Sequence, residues 1–178
     1  FYLLFTTLDE GGYLLTTTDI EGEWEKKKLN DGFYDCGLLF DNDKIYVVYG
    51  INQLRIAELD EDFNKIPGSD KDVVKWSFRE GLEGSRLYKI GEYYYIYSTY
   101  GGWPAFQTVF RSKDIYGPYE EKKLIDDDNI HQGALVETQT GEWWTMLFYD
   151  KGAYGRFPNL QPVKWVDGWP EIGENGKG

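Results

Sequence analysis

Short apolar runs, separated by polar turns, follow one another along most of the chain. They are clearest between residues 79 and 125, where the pattern predicts four β-strands at 87–90, 93–98, 108–112 and 119–125. Gly91-Glu92 between the first two runs predicts a tight two-residue hairpin turn. No stretch shows the periodicity of an amphipathic helix. The pattern therefore predicts a four-stranded antiparallel sheet as the unit of the fold.

The same unit recurs before and after this segment. The earlier copy has runs at 38–40, 45–49, 54–59 and 73–76, and the later copy has runs at 134–137 and 143–149 with 163–166 as a closing strand. Residues 1–29 predict the outer strands of a further, incomplete unit, because residues 18–24 match residues 113–119. A fixed repeat of this length is typical of propeller blades. We predict an all-β chain whose residues 1–178 form about three and a half blades of a β-propeller.

Neither end of the series shows a polar capping element. An open propeller leaves blade faces and strand edges unprotected. We therefore expect the chain to be a fragment, with at least the inner strand of its first blade lying upstream.

Asp35, Glu83 and His131 occupy the same point of successive units. Asp35 and Glu83 are 48 residues apart, as are Glu83 and His131. Each lies two residues before a small residue that opens an apolar run. Equivalent positions of propeller blades converge on the central axis, and we place these three residues in the loops that precede the inner strands. Two carboxylates and the only histidine are thus expected to meet in one cavity.

Two neighbouring carboxyl groups suit the hydrolysis of glycosidic bonds. One carboxyl group protonates the leaving oxygen, and the other activates water or attacks the sugar directly. A nearby negative charge raises the pKa of the protonated member, as a general acid requires. Glu83 lies between Gly81 and Gly84, whose small size allows a ligand to approach closely. The spacing alone does not say which carboxylate is the acid, and a solvated loop glutamate is the alternative.

Other residues are candidates for contacts with a sugar. His131 could contact substrate or a water-bound metal ion, but one histidine is not a metal site, so no metal ligands are assigned. The guanidinium of Arg156 suits sugar hydroxyls or a carboxylate, although an exposed surface arginine is equally consistent. Phe33, Tyr34 and Trp103 could form a stacking platform, with ordinary packing as the alternative for each.

Composition narrows the classes of partner. The chain has 19 basic and 31 acidic residues, a net charge of −12, which argues against binding nucleic acid. It lacks the basic amphipathic stretch that membrane surfaces attract. Its 7 Trp, 15 Tyr and 10 Phe fit both sheet packing and sugar recognition. The single cysteine, Cys36, excludes an internal disulfide. No signal peptide is visible, and the compartment, bacterial cytoplasm or secreted and periplasmic space, stays open.

Three stretches resemble glycoside hydrolase family 43: residues 32–43, residues 82–89 and residues 152–170. The resemblance runs through essentially the whole chain, and the closing stretch is the most specific of the three. It implies a five-bladed propeller and an inverting mechanism on β-xylosides or α-L-arabinofuranosides. The implied substrate is a xylo- or arabino-oligosaccharide, and no cofactor is required.

The resemblance also assigns roles to individual residues. It implies that Glu83 is the general acid and that Asp35 tunes its pKa and orients it. Arg156 would bind the sugar in the terminal subsite. His131 matches a histidine near the axis that is sometimes linked to calcium through water, so Ca²⁺ near the axis is possible.

The family's third carboxylate, an aspartate that serves as general base in the first blade, has no match in this chain. Many relatives also carry a C-terminal β-sandwich, which this chain stops short of. We therefore expect the chain alone to be inactive. Two other functions stay open: a non-catalytic carbohydrate-binding propeller, and a protein-interaction propeller without a sugar site. A protein-interaction propeller does not explain why two acids and a histidine occupy the same position in successive repeats.

Overall fold

The structure is a computed structural model that describes residues 1–102, 104–125 and 130–173. Apart from one short 3-10 turn at Gly152–Tyr154, its regular elements are fifteen β-strands. They are β1 (Tyr2–Thr7), β2 (Gly11–Thr16), β3 (Glu25–Lys28), β4 (Gly37–Asp41), β5 (Lys44–Tyr49), β6 (Gln53–Leu59), β7 (Lys71–Lys75), β8 (Leu82–Ile90), β9 (Tyr93–Tyr100), β10 (Phe106–Ser112), β11 (Glu120–Lys123), β12 (Ile130–Glu137), β13 (Trp143–Asp150), β14 (Arg156–Val166) and β15 (Trp169–Ile172). No helix among the described residues has the length and apolarity needed to cross a membrane.

The strands form four antiparallel sheets in simple sequential order. The first sheet has three strands, β1 to β3, and the other three have four strands each: β4 to β7, β8 to β11 and β12 to β15. We call these sheets blades 1 to 4. The prediction of an all-β propeller with four-stranded antiparallel blades is confirmed, with blade 1 lacking one strand.

The turns follow from local chemistry. Asn42 and Asp43 join β4 to β5 with φ angles of 49° and 61°, which is the two-residue turn that matches the twist of a hairpin. The predicted match between blade 1 and blade 3 extends to hydrogen bonds. Asp19 Oδ1 accepts from the amide two residues later at 3.0 Å, and Asp114 Oδ1 does the same at 2.8 Å. The two segments are therefore equivalent turns.

The core lies between neighbouring blades. Alternate residues of a strand point to opposite faces of a sheet. Val47 of β5 therefore packs towards blade 1, whereas Val48 packs towards blade 3. In β9, Ile96 joins the cluster with blade 2, and Tyr97 joins the cluster with blade 4. Each inner blade thus buries both of its faces.

The outer faces of the first and last blades are apolar and exposed. On blade 4, Val136, Met146 and Leu160 are each about half exposed, and Met146 pairs directly with Leu160. On blade 1, Phe1 and Leu3 are exposed to a similar degree. Among the described residues, these two faces therefore present apolar side chains.

Three sequence-based strand assignments, one in blade 3 and two in blade 4, differ from the structure. Residues 163–166 are the end of the long third strand β14, and the closing strand is β15. The inner strands β8 and β12 begin at Leu82 and Ile130, several residues earlier than predicted. Both carry a register shift near their start, between Glu83 and Arg86 and between His131 and Ala134. The shift interrupts the alternation of side chains on which the prediction depended.

Candidate active site

Asp35 lies in the turn that leads into β4, with a φ angle of +48°. Aspartate tolerates this left-handed conformation better than most residues. Its backbone oxygen accepts a hydrogen bond from the amide of Ser85 in blade 3 at 3.2 Å. Its carboxylate oxygen Oδ2 accepts from Nε2 of Gln132 in blade 4 at 3.3 Å. The residue is therefore held where three blades meet.

Glu83 lies inside strand β8, opposite Thr99 of β9. The phenol of Tyr34 donates to its Oε2 at 3.2 Å. On the other side, the carboxylate lies against Gly101, where an added Cβ would overlap Oε1. The hydroxyl of Ser98 donates to the backbone oxygen of Glu83 at 2.6 Å. Both the main chain and the carboxylate are therefore fixed.

The prediction that all three in-phase residues lie in loops was wrong for Glu83 and His131. Both lie in inner strands, immediately before the register shift of β8 and β12. The residue after each has a positive φ angle, +66° at Gly84 and +51° at Gln132. A β-bulge of this kind bends the strand and re-aims the side chain next to it.

Electrostatics favour the neutral form of Glu83. Burial raises the pKa of its carboxyl group, and the negative charge of Asp35 raises it further. The hydrogen bond from Tyr34 and the positive charge of Arg156 act in the opposite direction, and the pKa stays above its usual value. The interaction with Asp35 also shows that the two predicted carboxylates lie near each other. Glu83 is the acidic residue of the pair that is suited to hold a proton.

His131 and Arg156 lie together on blade 4, and the charge of Arg156 acts on both His131 and Glu83. The ring of His131 is 7% exposed and meets the ring of Phe148 edge-on, with centroids 4.3 Å apart. Arg156 places its guanidinium 4.6 Å from the centroid of the same phenyl ring. Its Nε lies 3.9 Å from a carboxylate oxygen of Asp150. Burial, followed by the charge of Arg156, lowers the pKa of His131, so this imidazole is neutral at neutral pH.

The three predicted stacking residues differ in what the structure shows. Phe33 is fully buried in the core between blades 1 and 2, where its ring meets Tyr49 edge-on at 5.3 Å. Its assignment to the sugar platform was therefore wrong, because no face of the ring is accessible. Tyr34 is 40% exposed and borders Glu83. Trp103 lies outside the described residues, and its role stays a prediction.

The described residues contain no group of three or more His, Cys, Asp or Glu side chains that could hold a metal ion. Nδ1 of His131 is buried and has no hydrogen-bond partner within the described ranges. Calcium prefers six to eight oxygen ligands, so this nitrogen does not fit as a direct ligand. The described residues thus do not fit a calcium site by themselves, and calcium near the axis stays a prediction.

Sequence reasoning missed two residues of this site, Gln132 and Gly101. Gln132 directly follows the in-phase His131, but its reach to Asp35 depends on a positive φ angle that no pattern indicates. Gly101 follows β9, and its contact with Glu83 depends on how two adjacent strands end. Tyr34 was considered only for stacking, whereas its hydroxyl binds the carboxylate of Glu83.

The sequence of the chain was compared with protein families and with known proteins. The sequence model described as "Glycosyl hydrolases family 43" matches residues 1–170. The beta-xylosidase of Bacillus subtilis is 28% identical, over 97% of this chain and 41% of its own length. A non-reducing end alpha-L-arabinofuranosidase of Bacteroides ovatus is 27% identical, over 99% of this chain and 38% of its own length.

A solved structure agrees with this match. The protein described as "Bifunctional GH43-CE" from Bacteroides eggerthii has a TM-score of 0.88 and 36% identity, over 98% of this chain and 24% of its own. The chain spans between 34% and 41% of the length of the curated relatives that it matches.

Proposed function

The chain belongs to glycosyl hydrolases family 43, and we propose that the protein releases xylose or arabinose from xylan- or arabinan-derived oligosaccharides. The observation that carries the proposal is the placement of the Glu83 carboxyl group, which is bound by the Tyr34 hydroxyl and packed against Gly101, where burial and the charge of Asp35 raise its pKa. The relatives described as beta-xylosidase and alpha-L-arabinofuranosidase support this substrate class. We propose that hydrolysis proceeds with inversion at the anomeric carbon.

In this reaction Glu83 is the general acid. Its carboxyl proton passes to the glycosidic oxygen while the bond between that oxygen and the anomeric carbon breaks. A water molecule forms the new bond to the anomeric carbon from the opposite face and loses a proton to a carboxylate base. After the reaction Glu83 is ionised and regains its proton from solvent. Burial, followed by the charge of Asp35, favours the protonated form of the resting carboxyl group, because two adjacent negative charges are unfavourable.

We assign the base to a residue that this chain does not contain. In inverting enzymes the acid and base are ~6.5–9.5 Å apart, which leaves room for the water molecule. Asp35 does not suit this role, because its carboxylate is held by Gln132 and lies close enough to Glu83 for its charge to raise the pKa of the acid. Residues 1–178 alone are therefore expected to be inactive.

Arg156 and the neutral His131 are the proposed contacts of the terminal sugar. A guanidinium offers several donors in a fixed geometry, which suits adjacent hydroxyl groups. The side chain of Arg156 is 63% exposed, so it is accessible to a ligand. A neutral imidazole both donates and accepts hydrogen bonds, as a hydroxyl group requires.

Glu83→Ala in the intact protein tests the proposal. We expect kcat on xylo- or arabino-oligosaccharides to fall by roughly 10²–10⁴-fold, the usual contribution of general acid catalysis. Aryl glycosides with good leaving groups should lose much less, since they need little protonation. Glu80→Ala is the matched control, because Glu80 is exposed and lies three residues earlier.

Undiminished hydrolysis by Glu83→Ala would remove Glu83 from its role. Proton NMR of the first product tests inversion, since retention of the anomeric configuration contradicts it. Calorimetric binding of xylose or arabinose without any hydrolysis by the wild-type protein would favour the carbohydrate-binding propeller. Hydrolysis by residues 1–178 alone would contradict a base from outside this chain.

A further inference from the structure

Gln132 connects three blades near the axis with one side chain. It starts in β12 of blade 4, and its Nε2 donates to Oδ2 of Asp35 in blade 2 at 3.3 Å. Between these ends the side chain crosses Gly84 of blade 3. A Cβ at Gly84 would lie 2.8 Å from Cγ and 3.3 Å from Nε2 of Gln132. The side chain therefore passes directly over the residue that follows Glu83.

The backbone at this position is unusual. Gln132 has a φ angle of +51°, which is rare for a residue with a side chain of this size. Such conformations persist where the surroundings hold them, and they cluster at functional sites. The opposing residue has to be glycine, because Gly84 has a φ angle of +66° and no room for a Cβ. The two bulges thus fit against each other and fix where the amide of Gln132 points.

The amide has a specific target. Among the described residues, Gln132 is the one side chain that donates a hydrogen bond to the carboxylate of Asp35. The Coulomb interaction between two carboxyl groups depends strongly on their separation when they are close and partly buried. The rotation of the Asp35 side chain therefore sets how strongly it acts on Glu83. A donor that fixes this rotation controls the acid from the adjacent blade.

We propose that Gln132 is a positioning residue that holds the carboxylate of Asp35 against Glu83. The proposal deepens the proposed hydrolase function of the same site and rests on it. Gln132 does not contact the reacting atoms. It acts through Asp35, and its side chain reaches Asp35 across the space left by the missing side chain of Gly84.

Gln132→Met in the intact protein tests this role, since methionine keeps the length of the side chain and lacks the donor. We expect kcat on xylo- or arabino-oligosaccharides to fall roughly ten- to hundred-fold, because a misplacement of about 1 Å can cost 10²-fold in rate. KM should change less than about threefold. The alkaline limb of the kcat profile should move to lower pH, because Asp35 then acts less on Glu83. Gln53→Met, at an exposed position in blade 2, is the matched control.

Two further variants separate positioning from a structural role. Gln132→Glu places a third negative charge beside the pair, so its alkaline limb should move to higher pH, opposite to that of Gln132→Met. Gly84→Ala keeps the glutamine and displaces it from Asp35, so its limb should move to lower pH. A variant that affected folding alone would have lower activity, and the alkaline limb of its kcat profile would not move. Wild-type kcat and limb in Gln132→Met would overturn the proposal.

A measurement without substrate distinguishes this proposal from the proposed function. The Glu83 carboxyl group can be titrated by ¹³C NMR of Glu-labelled protein, with its signal assigned from Glu83→Gln. A lower midpoint in Gln132→Met, in a protein that hydrolyses nothing, supports positioning and contradicts the hydrolase. An unchanged midpoint in an active enzyme contradicts positioning and leaves the hydrolase intact.

Discussion

A single methyl group at Gly101 should displace the proposed catalytic acid. The backbone of Gly101 is held on both sides, since its amide donates to the oxygen of Gly81 at 2.8 Å and its oxygen accepts from Arg79 at 2.6 Å. An added Cβ would overlap Oε1 of Glu83 and lie 3.3 Å from its Cδ. The main chain cannot retreat, so the carboxyl group has to move by about 1 Å to reach normal contact distance.

The expected cost lies in catalysis and not in folding. A displacement of about 1 Å costs roughly 10²-fold in rate, or about 3 kcal/mol of transition-state stabilisation. The displaced atom is the end of a flexible side chain, so the melting temperature should change little. We therefore expect Gly101→Ala to lower kcat roughly hundred-fold on oligosaccharides, and much less on aryl glycosides that need no protonation.

Steady-state kinetics of the intact protein on both substrate types checks this prediction. Gly22→Ala is the control, because Gly22 lies in an exposed turn of blade 1, has no positive φ angle, and would bring its Cβ only against Asp19 at 3.2 Å. An equal loss on both substrates would mean that the methyl group obstructs binding and does not act through Glu83. Wild-type rates on oligosaccharides would refute the reasoning.

Three further substitutions probe the site and its support. Tyr34→Phe removes a hydrogen bond that lowers the pKa of Glu83, so the alkaline limb of the kcat profile should move to higher pH, and a move to lower pH would contradict this. Arg156→Ala removes a positive charge that lowers the pKa of Glu83, so the alkaline limb should again move to higher pH, and KM should rise. An unchanged KM would place the guanidinium outside the sugar site. Tyr97→Phe removes a buried bond to Thr145 worth about 1 kcal/mol, so thermal unfolding should begin a few degrees earlier at unchanged kcat, and an unchanged melting temperature would count against that bond.

The hydrophobic pattern predicted the strands where alternation is regular and failed where prolines interrupt it. Residues 156–162 contain Pro158 and Pro162 and resemble a loop, yet they form the first part of β14. Proline has no amide hydrogen to donate, so it is unfavourable in a strand that is paired on both sides. In β14 the residue pairing with β15 begins at Val163, so Pro158 lies where β14 is paired with β13 alone. Pro162 needs no amide on the β15 side, because it takes part there through its oxygen, which accepts from the amide of Gly173 at 2.8 Å. Tertiary pairing decides that residues 156–166 form a single strand. The sequence therefore did not show that β15, and not residues 163–166, closes blade 4.

The site was predictable to the level of neighbours but not of orientation. The period of 48 residues places Asp35 and Glu83 in equivalent positions, and the structure brings them within electrostatic reach. The same reasoning could not separate Phe33 from Tyr34. The two neighbours lie in the turn before β4, where Phe33 enters the core and Tyr34, 40% exposed, borders the site. A pattern with a period of one blade does not say which of two neighbours faces inwards.

Equivalent positions in this fold have acquired different environments through a one-residue offset in the backbone. The left-handed residue is Asp35 itself in blade 2, whereas in blades 3 and 4 it is the residue after the in-phase position, Gly84 and Gln132. Asp35 therefore turns towards the amide of Gln132, while Glu83 turns towards Tyr34. A strictly symmetric arrangement would give both acids the same surroundings and no basis for different protonation. The offset gives Asp35 a donor from two blades further along the chain and leaves Glu83 half-buried, and in these surroundings burial and the charge of Asp35 raise the pKa of Glu83.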